Sequence, residues 1–246
     1  MDIKGTLKKT KIYHMLRKPY MILFHNYAYI PKQINARTAV FGNDYGGFPV
    51  AVNSLPPRGD ITVYSFGIGE DLSFSEDLLT KYDERANIYA FDPTPKAQKY
   101  VQAHHLSTNS NFHFFPYGLS DHVGFEKFYL PKNKDFVSAS VVLHDGVDAE
   151  DAIDVPMKTL PQIMGELGHT HIDILKMDIE GSEFKVIPQI LSEHCDISQI
   201  CCEIHGYLFA NGKKLTKDLI RIMNEAGYYV AKVRDSAAEV LFIKRD

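Results

Sequence analysis

From residue 61 to its end the chain alternates short apolar runs with stretches of helical periodicity, and few architectures accept that rhythm. Strands are expected at 61–67, 87–92, 111–115, 172–178 and 198–204. Helices are expected between and after them, at 75–84, 95–105, 182–191 and 214–226. A strand–helix–strand repeat builds a parallel sheet with helices on both faces, because each crossover must bury an apolar stripe against the sheet. The run Ile-Asp-Ile-Leu-Lys-Met-Asp at 172–178 suits a strand buried inside such a sheet.

The rhythm ends differently. Two runs, 228–233 and 240–244, are joined by a short polar loop, so they pair antiparallel; a parallel pair needs a long crossover. It also breaks between the third and fourth strands. There, 125–130, 138–143 and 153–158 alternate like short strands or extended loops. The expected fold class is therefore α/β, doubly wound and mostly parallel, with an antiparallel last strand.

Residues 1–58 have another character. The start is basic, with Lys4, Lys8, Lys9, Lys11, Arg17 and Lys18, and the remainder is aromatic. Gly42-Asn43-Asp44-Tyr45-Gly46-Gly47 is loop chemistry, and Pro56-Pro57-Arg58-Gly59-Asp60 reads as a hinge. We divide the chain into an N-terminal extension, 1–58, and one catalytic domain, 59–246. The extension is read as a brace, a lid or substrate wall, or an oligomer contact; its basic start also suits an anionic substrate or a membrane.

Composition narrows the function. The 246 residues carry a net charge of −4, which disfavours a general nucleic-acid binder, since that task needs a basic surface. Three cysteines, two of them adjacent, suggest neither a disulfide framework nor a metal knot, and fit a reducing cytoplasm. The apolar stretch 21–30 is interrupted by His25 and Asn26 and flanked by prolines. It reads as neither a membrane span nor a cleavable leader. The expectation is a cytoplasmic protein without a transmembrane segment.

Three sites carry chemistry. The first is Ser65-Phe66-Gly67-Ile68-Gly69-Glu70-Asp71, where glycines after a first strand let the backbone turn sharply and a ligand come close. Asp92 follows at the end of the second strand, where a carboxylate can accept both hydroxyls of an adenosine ribose; it can also cap the next helix. The second is Asp178-Ile179-Glu180-Gly181-Ser182-Glu183, three carboxylates at the carboxyl end of a strand, the edge where open α/β sheets bind ligands. The third is Glu203-Ile204-His205. Two apart on a strand, Glu203 and His205 share a face and should lie beside Asp178. Asp178, Glu203 and His205 could form a general-base group or a divalent-metal site.

These sites, in this order, resemble the FkbM-type family of class I S-adenosylmethionine-dependent methyltransferases. Lys176-Met177-Asp178-Ile179-Glu180-Gly181-Ser182-Glu183 is the most specific piece; Phe91-Asp92-Pro93 and Pro116-Tyr117-Gly118-Leu119-Ser120-Asp121 fit the second and third strand ends. The resemblance covers roughly 61–244. It implies a Rossmann-like seven-stranded sheet with the last strand inserted antiparallel. It implies S-adenosyl-L-methionine held by Gly67, Gly69 and Asp92, with Ser120 and Asp121 near the adenine. It implies O-methylation, often of sugars or other hydroxylated metabolites. The sequence departs from the family where Ser65 replaces an acidic residue and Asp71 a small one, so Glu70 or Asp71 is expected to bind the cofactor's ammonium group.

The mechanism expected has His205 as base, with Asp178 and Glu203 orienting it or the acceptor. In the alternative, Asp178 and Glu203 hold magnesium or manganese, which lowers the hydroxyl's pKa. Two other functions fit part of the pattern. An NAD-dependent oxidoreductase shares the glycine loop and ribose acid, but not the carboxylates of 178–183. A non-catalytic S-adenosylmethionine-binding protein would need none of Asp178, Glu203 and His205. Tyr45, Phe48, Tyr129, Phe136 and His144 are candidates either to line an acceptor pocket or simply to pack the core. The partner expected is a hydroxylated small molecule, a carbohydrate by resemblance, with no nucleic acid; a homo-oligomer through the aromatic N-terminal segment is the other association considered.

Overall fold

The computed structural model describes residues 11–132, 146–234 and 238–245. Phe136, His144 and the expected run 138–143 lie outside them.

Seven strands form the central sheet: β3 (Ile61–Phe66), β4 (Ala86–Phe91), β5 (Phe112–Phe115), β9 (Ile172–Met177), β10 (Ile197–Glu203), β11 (Tyr228–Val233) and β12 (Glu239–Lys244). Their order is β11-β12-β10-β9-β3-β4-β5. All neighbours from β10 to β5 pair parallel, and β12 slots antiparallel between β10 and β11. This is the Rossmann-like class I arrangement, with each expected strand within two residues of its expected bounds. Chain order reverses between β3 and β9, so the crevice above their carboxyl ends is the topological switch point where such sheets bind ligands.

Alternation along the strands divides the core into two layers. Tyr64, Phe66, Leu175, Met177 and Ile200 point to one face, where Leu160, Ile163, Val186, Ile187, Leu219 and Met223 pack on them. These belong to α4 (Leu160–Leu167), α5 (Glu183–Ser192) and α6 (Gly212–Glu225). Val63, Ile88, Ile174 and Cys201 point the other way, against Phe74 and Leu78 of α2 (Ser73–Tyr82) and Ala97 and Val101 of α3 (Pro95–Ala103).

The N-terminal residues supply the rest of that second layer. A helix, α1 (Lys11–Phe24), is followed by a hairpin of β1 (Thr38–Phe41) and β2 (Phe48–Ala51). Phe41, Phe48 and Val50 join the second core, and Gln199 Oε1 of β10 accepts from Ala51 N at 2.8 Å. Phe48 is thus core, not pocket wall.

A small second sheet joins β6 (Gly118–Leu119), β7 (Gly124–Pro131) and β8 (Val147–Lys158), with β8 in the middle. It carries the part of 118–160 that broke the rhythm. The helix α4 was not expected. Its boundaries are nonetheless written in the chain: Thr159 precedes it, Pro161 sits in its first turn, and Gly168 ends it in the left-handed region at φ +72°.

Candidate functional site

The glycine loop leaves β3 at the switch point. Gly67 adopts φ +70° and Gly69 φ +53°, conformations that side-chain-bearing residues seldom take. Gly67 also presses on the neighbouring strand end: a Cβ there would sit 1.7 Å from the Asp178 carbonyl oxygen. Lys176, buried on β9, donates from Nζ to Gly67 O at 2.8 Å and Phe66 O at 3.2 Å, and lies over the Phe48 ring at 5.0 Å. The buried lysine of the strand therefore fixes the loop's carbonyls.

Asp92 ends β4 opposite the loop. Its Oδ2 accepts from Gly69 N at 2.9 Å, and its Oδ1 from Thr94 N at 2.9 Å and Thr94 Oγ1 at 2.6 Å. Burial pushes its carboxyl up, partly offset by these donors and by Lys176. The helix cap itself comes from Thr94, whose side chain accepts from Ala97 N. Asp92 thus ties the loop to the start of α3.

Between these walls lies a cleft enclosing about 910 Å³, its open mouth included. Ser65, Gly67, Gly69, Glu70, Asp71, Asp92 and Asp178 all line it. Ser120 and Asp121 do not; they follow Gly118 and Leu119, which do, and form their own cluster with His122, Glu126 and Lys185. Asp71 is already engaged: Oδ2 accepts from Asn43 Nδ2 and Oδ1 from Ser73 N, both at 2.7 Å. Glu70 is exposed at the rim. Through Asn43, and through Gly42 N donating to Asp77 Oδ2 at 2.7 Å, the hairpin loop is fastened to α2. This brings Tyr45 and Gly46 to the cleft wall, whereas Tyr129 does not line it.

Next along the sheet edge, β9 and β10 bring Asp178, Glu203 and His205 together as the strand ends required. Nε2 of His205 lies 3.6 Å from Asp178 Oδ1, 3.5 Å from Glu180 Oε2 and 3.9 Å from Glu203 Oε1. Asp178, Glu203 and His205 each offer a ligand atom within 4.8 Å of the others, so they could hold a metal ion. Glu183, fully buried at the start of α5, supports the cluster from beneath. It accepts from His205 N at 2.6 Å and Gly181 N at 3.0 Å, and its Oε1 is 3.5 Å from His205 Nδ1. It thereby holds the turn in which Glu180 takes φ +49°. The sequence set Glu183 among three carboxylates at a strand end; its contact with the backbone and ring of His205 comes from the fold.

The electrostatics separate the roles. The His205 side chain is 2% exposed, against 27% for Asp178 and 23% for Glu203. Burial alone would lower the His205 pKa. The surrounding carboxylates, Glu183 foremost and then Glu180 and Glu203, outweigh it and raise the value well above the ordinary one. Glu203 is pushed up to about 8, first by burial and then by Asp178. At 2% exposure behind the more open Asp178, Glu180 and Glu203, His205 does not face a ligand directly, which does not favour it as base. Beside them Tyr27 stacks on Tyr207 at 4.7 Å.

The sequence matches the model of the Methyltransferase FkbM domain over residues 60–230. The human protein described as "Probable methyltransferase-like protein 24" is 26% identical over 145 residues, covering 58% of this chain and 32% of that protein. The chain thus spans about a third of that relative's length. Among solved structures, an FkbM methyltransferase from Methylobacillus flagellatus superposes with a TM-score of 0.46 at 14% identity, covering 75% of this chain and 43% of the other. A fibrillarin pre-rRNA processing protein from Methanococcus jannaschii gives 0.44 at 8% identity, covering 89% and 87%.

Proposed function

This chain belongs to the FkbM methyltransferase family, and from that premise we propose that it moves a methyl group from S-adenosylmethionine to a hydroxyl of a small acceptor. The acceptor class we assign is a sugar or nucleotide-sugar, in glycan or secondary-metabolite biosynthesis. One observation carries the reading: Asp178 belongs both to the glycine-lined cleft and to the carboxylate–imidazole cluster, so a ligand in the first abuts the second.

Two features support the fit of the cofactor. The close approach of Gly67 to Asp178 keeps side chains out of the cradle. Ser182 Oγ is buried in the cleft wall without a hydrogen-bond partner among the described residues. We assign Asp92 to the ribose hydroxyls, Ser65, Gly67 and Gly69 to the methionine part, and Glu70 to its ammonium. Asp71, whose carboxylate accepts from Asn43 and Ser73, acts by fastening the hairpin loop. Ser120 and Asp121 stand behind Gly118 and Leu119 on the adenine side. The domain division proposed is unchanged: residues 59–246 are the catalytic domain, with residues 1–58 an extension whose hairpin supplies a cleft wall.

When bound, S-adenosylmethionine supplies an electrophilic methyl on a sulfonium, so the chain's task is alignment and proton removal. Asp178 and Glu203 accept hydrogen bonds from the acceptor hydroxyl. Glu203, its carboxyl pushed up to about 8, takes the proton in the fraction of molecules where it is ionised, so turnover should rise with pH through that value. His205 keeps its proton and holds the carboxylates in place. A second reading rests on the compact Asp178–Glu203–His205 set: these residues would hold magnesium or manganese, which lowers the pKa of a hydroxyl it meets.

The test begins with calorimetric titration of S-adenosylmethionine, with NAD as control. Asp92→Asn should weaken binding roughly 10–100-fold, the worth of hydrogen bonds to a charged group. Binding of NAD instead would replace this reading with an oxidoreductase. Glu203→Gln should cut turnover on hydroxylated acceptors about 100-fold or more while S-adenosylmethionine still binds. Turnover abolished by chelation and restored by manganese would select the metal reading; unchanged turnover in chelator would remove it. Cofactor binding without turnover on any acceptor would leave a binding protein of the same fold.

A further inference from the structure

The described helix α1 turns apolar side chains away from the protein. Leu16 is 54% exposed, Tyr20 51%, Leu23 71% and Phe24 71%. At spacings of four, three and one, these four fall within one face about 100° wide on a helix of 3.6 residues per turn. Large residues scattered singly on a surface need no explanation, but a contiguous aromatic and aliphatic face does. The helix is not loosely placed. Lys213 Nζ donates to Ile22 O at 3.2 Å, and just beyond the helix Asn26 Nδ2 donates to Phe209 O at 3.1 Å. The outward direction of Leu23 and Phe24 is thereby set by the catalytic domain.

The charge of the segment says what covers that face. Residues 1–24 carry six Lys and Arg against one Asp, a net +5, so the remaining 222 residues carry −9. A second copy meeting this face isologously would bring one +5 segment against another, a like-charge contact. An anionic bilayer offers the opposite sign together with an apolar interior. Aromatic and leucine side chains on one face, with lysines accompanying them, is the composition of helices that lie in the interface plane. No described helix is long and apolar enough to cross a membrane, so the segment would lie on the bilayer.

We propose that helix α1 docks the protein on membranes bearing anionic phospholipid headgroups, with Leu16, Tyr20, Leu23 and Phe24 entering the headgroup–acyl boundary. Docking would hold the carboxylate cluster close to the bilayer, because shortly after Leu23 the chain reaches Tyr27, which stacks on Tyr207 beside that cluster.

Flotation of the full chain tests this, with vesicles of phosphatidylcholine alone and of phosphatidylcholine mixed with phosphatidylglycerol. We expect binding to the mixed vesicles only, weakening as salt rises. Leu23→Ser with Phe24→Ser should lower the partition roughly ten-fold or more. Lys8→Glu with Lys9→Glu should lower it at least about five-fold per cation lost. S-adenosylmethionine affinity should be unchanged in all variants, which establishes that they are folded. No flotation with anionic vesicles at low salt would overturn the proposal. So would undiminished flotation of the double serine variant. A dimer in sedimentation velocity that this variant dissolves, without vesicle binding, would assign the face to a second copy instead.

Discussion

Glu183→Ala probes the support beneath the carboxylate cluster. The native carboxylate is fully buried and accepts two backbone N–H groups, from His205 at 2.6 Å and Gly181 at 3.0 Å, with the His205 ring 3.5 Å away. Truncation leaves both donors buried without partners, at about 1–3 kcal/mol each, and removes the foremost carboxylate facing the imidazolium. Breaking a buried pair from one side costs about 3–5 kcal/mol, a large part of a total stability of roughly 5–15 kcal/mol. For a chain of this size each kcal/mol lowers Tm by about 2–4 °C, so the melting temperature should fall by roughly 6–20 °C. Glu183→Gln should fall between, because its amide can accept one N–H but turns its own donor toward the other. Thermal melts by circular dichroism, with urea midpoints as a second scale, read the effect. An alanine variant melting within about 2 °C of the parent would refute the claim that Glu183 fixes the turn and the His205 backbone.

Three further outcomes follow from the same geometry. Gly67→Ala forces a Cβ toward the Asp178 carbonyl and a left-handed backbone on alanine; it should cost about 2–4 kcal/mol in urea unfolding and weaken S-adenosylmethionine binding, and a variant unchanged in both would show that the loop can relax. Lys176→Met keeps the packing over Phe48 but strips two carbonyls of their donor; we expect about ten-fold weaker cofactor binding at a cost of about 1–3 kcal/mol, and unaltered affinity in calorimetry would deny the lysine its loop-fixing role. Stability should also fall as pH rises. Glu203 and His205 both have folded pKa values raised above their ordinary ones, so their contribution is fully present below about 4.5 and 6.5 respectively and is lost as pH climbs through the raised values, about 8 for Glu203. Urea midpoints should decline from about pH 4.5 to about pH 8, and less steeply over that window in Glu203→Gln; an equal slope in that variant would remove Glu203 from the account.

What the sequence revealed and what it hid divide along a physical line. Strands β3, β4, β9 and β10 were legible because apolar residues dominate each, as burial on both faces demands of an inner strand, with Asp173, Lys176, Gln199 and Glu203 among the interruptions. Once their parallel order was inferred, Asp92, Asp178, Glu203 and His205 had to end near one edge, because neighbouring parallel strands end side by side. The proton-transfer roles were not legible in the same way. His205 reads as a base on type alone; its place 2% exposed behind three carboxylates, with Glu183 beneath, comes from α5 folding back under β10.

The hairpin sharpens the point. Strands of four residues, β1 and β2, carry too little periodicity to declare themselves, and Phe48 looks equally like core or pocket. Its place is decided by partners far away in the chain: Ala51 by Gln199, 148 residues on, and Asn43 by Asp71, 28 residues on. Yet the loop glycines at 42, 46 and 47 and the surplus carboxylate at Asp71 were visible, each odd by itself. Gly46 leaves no room for a Cβ beside Asp71, which it would meet at 2.7 Å, so the two oddities explain each other. Asp71, inside the segment matched to the family, meets Asn43 and Gly46 of the hairpin loop that precedes that segment, so the two sides are best altered together.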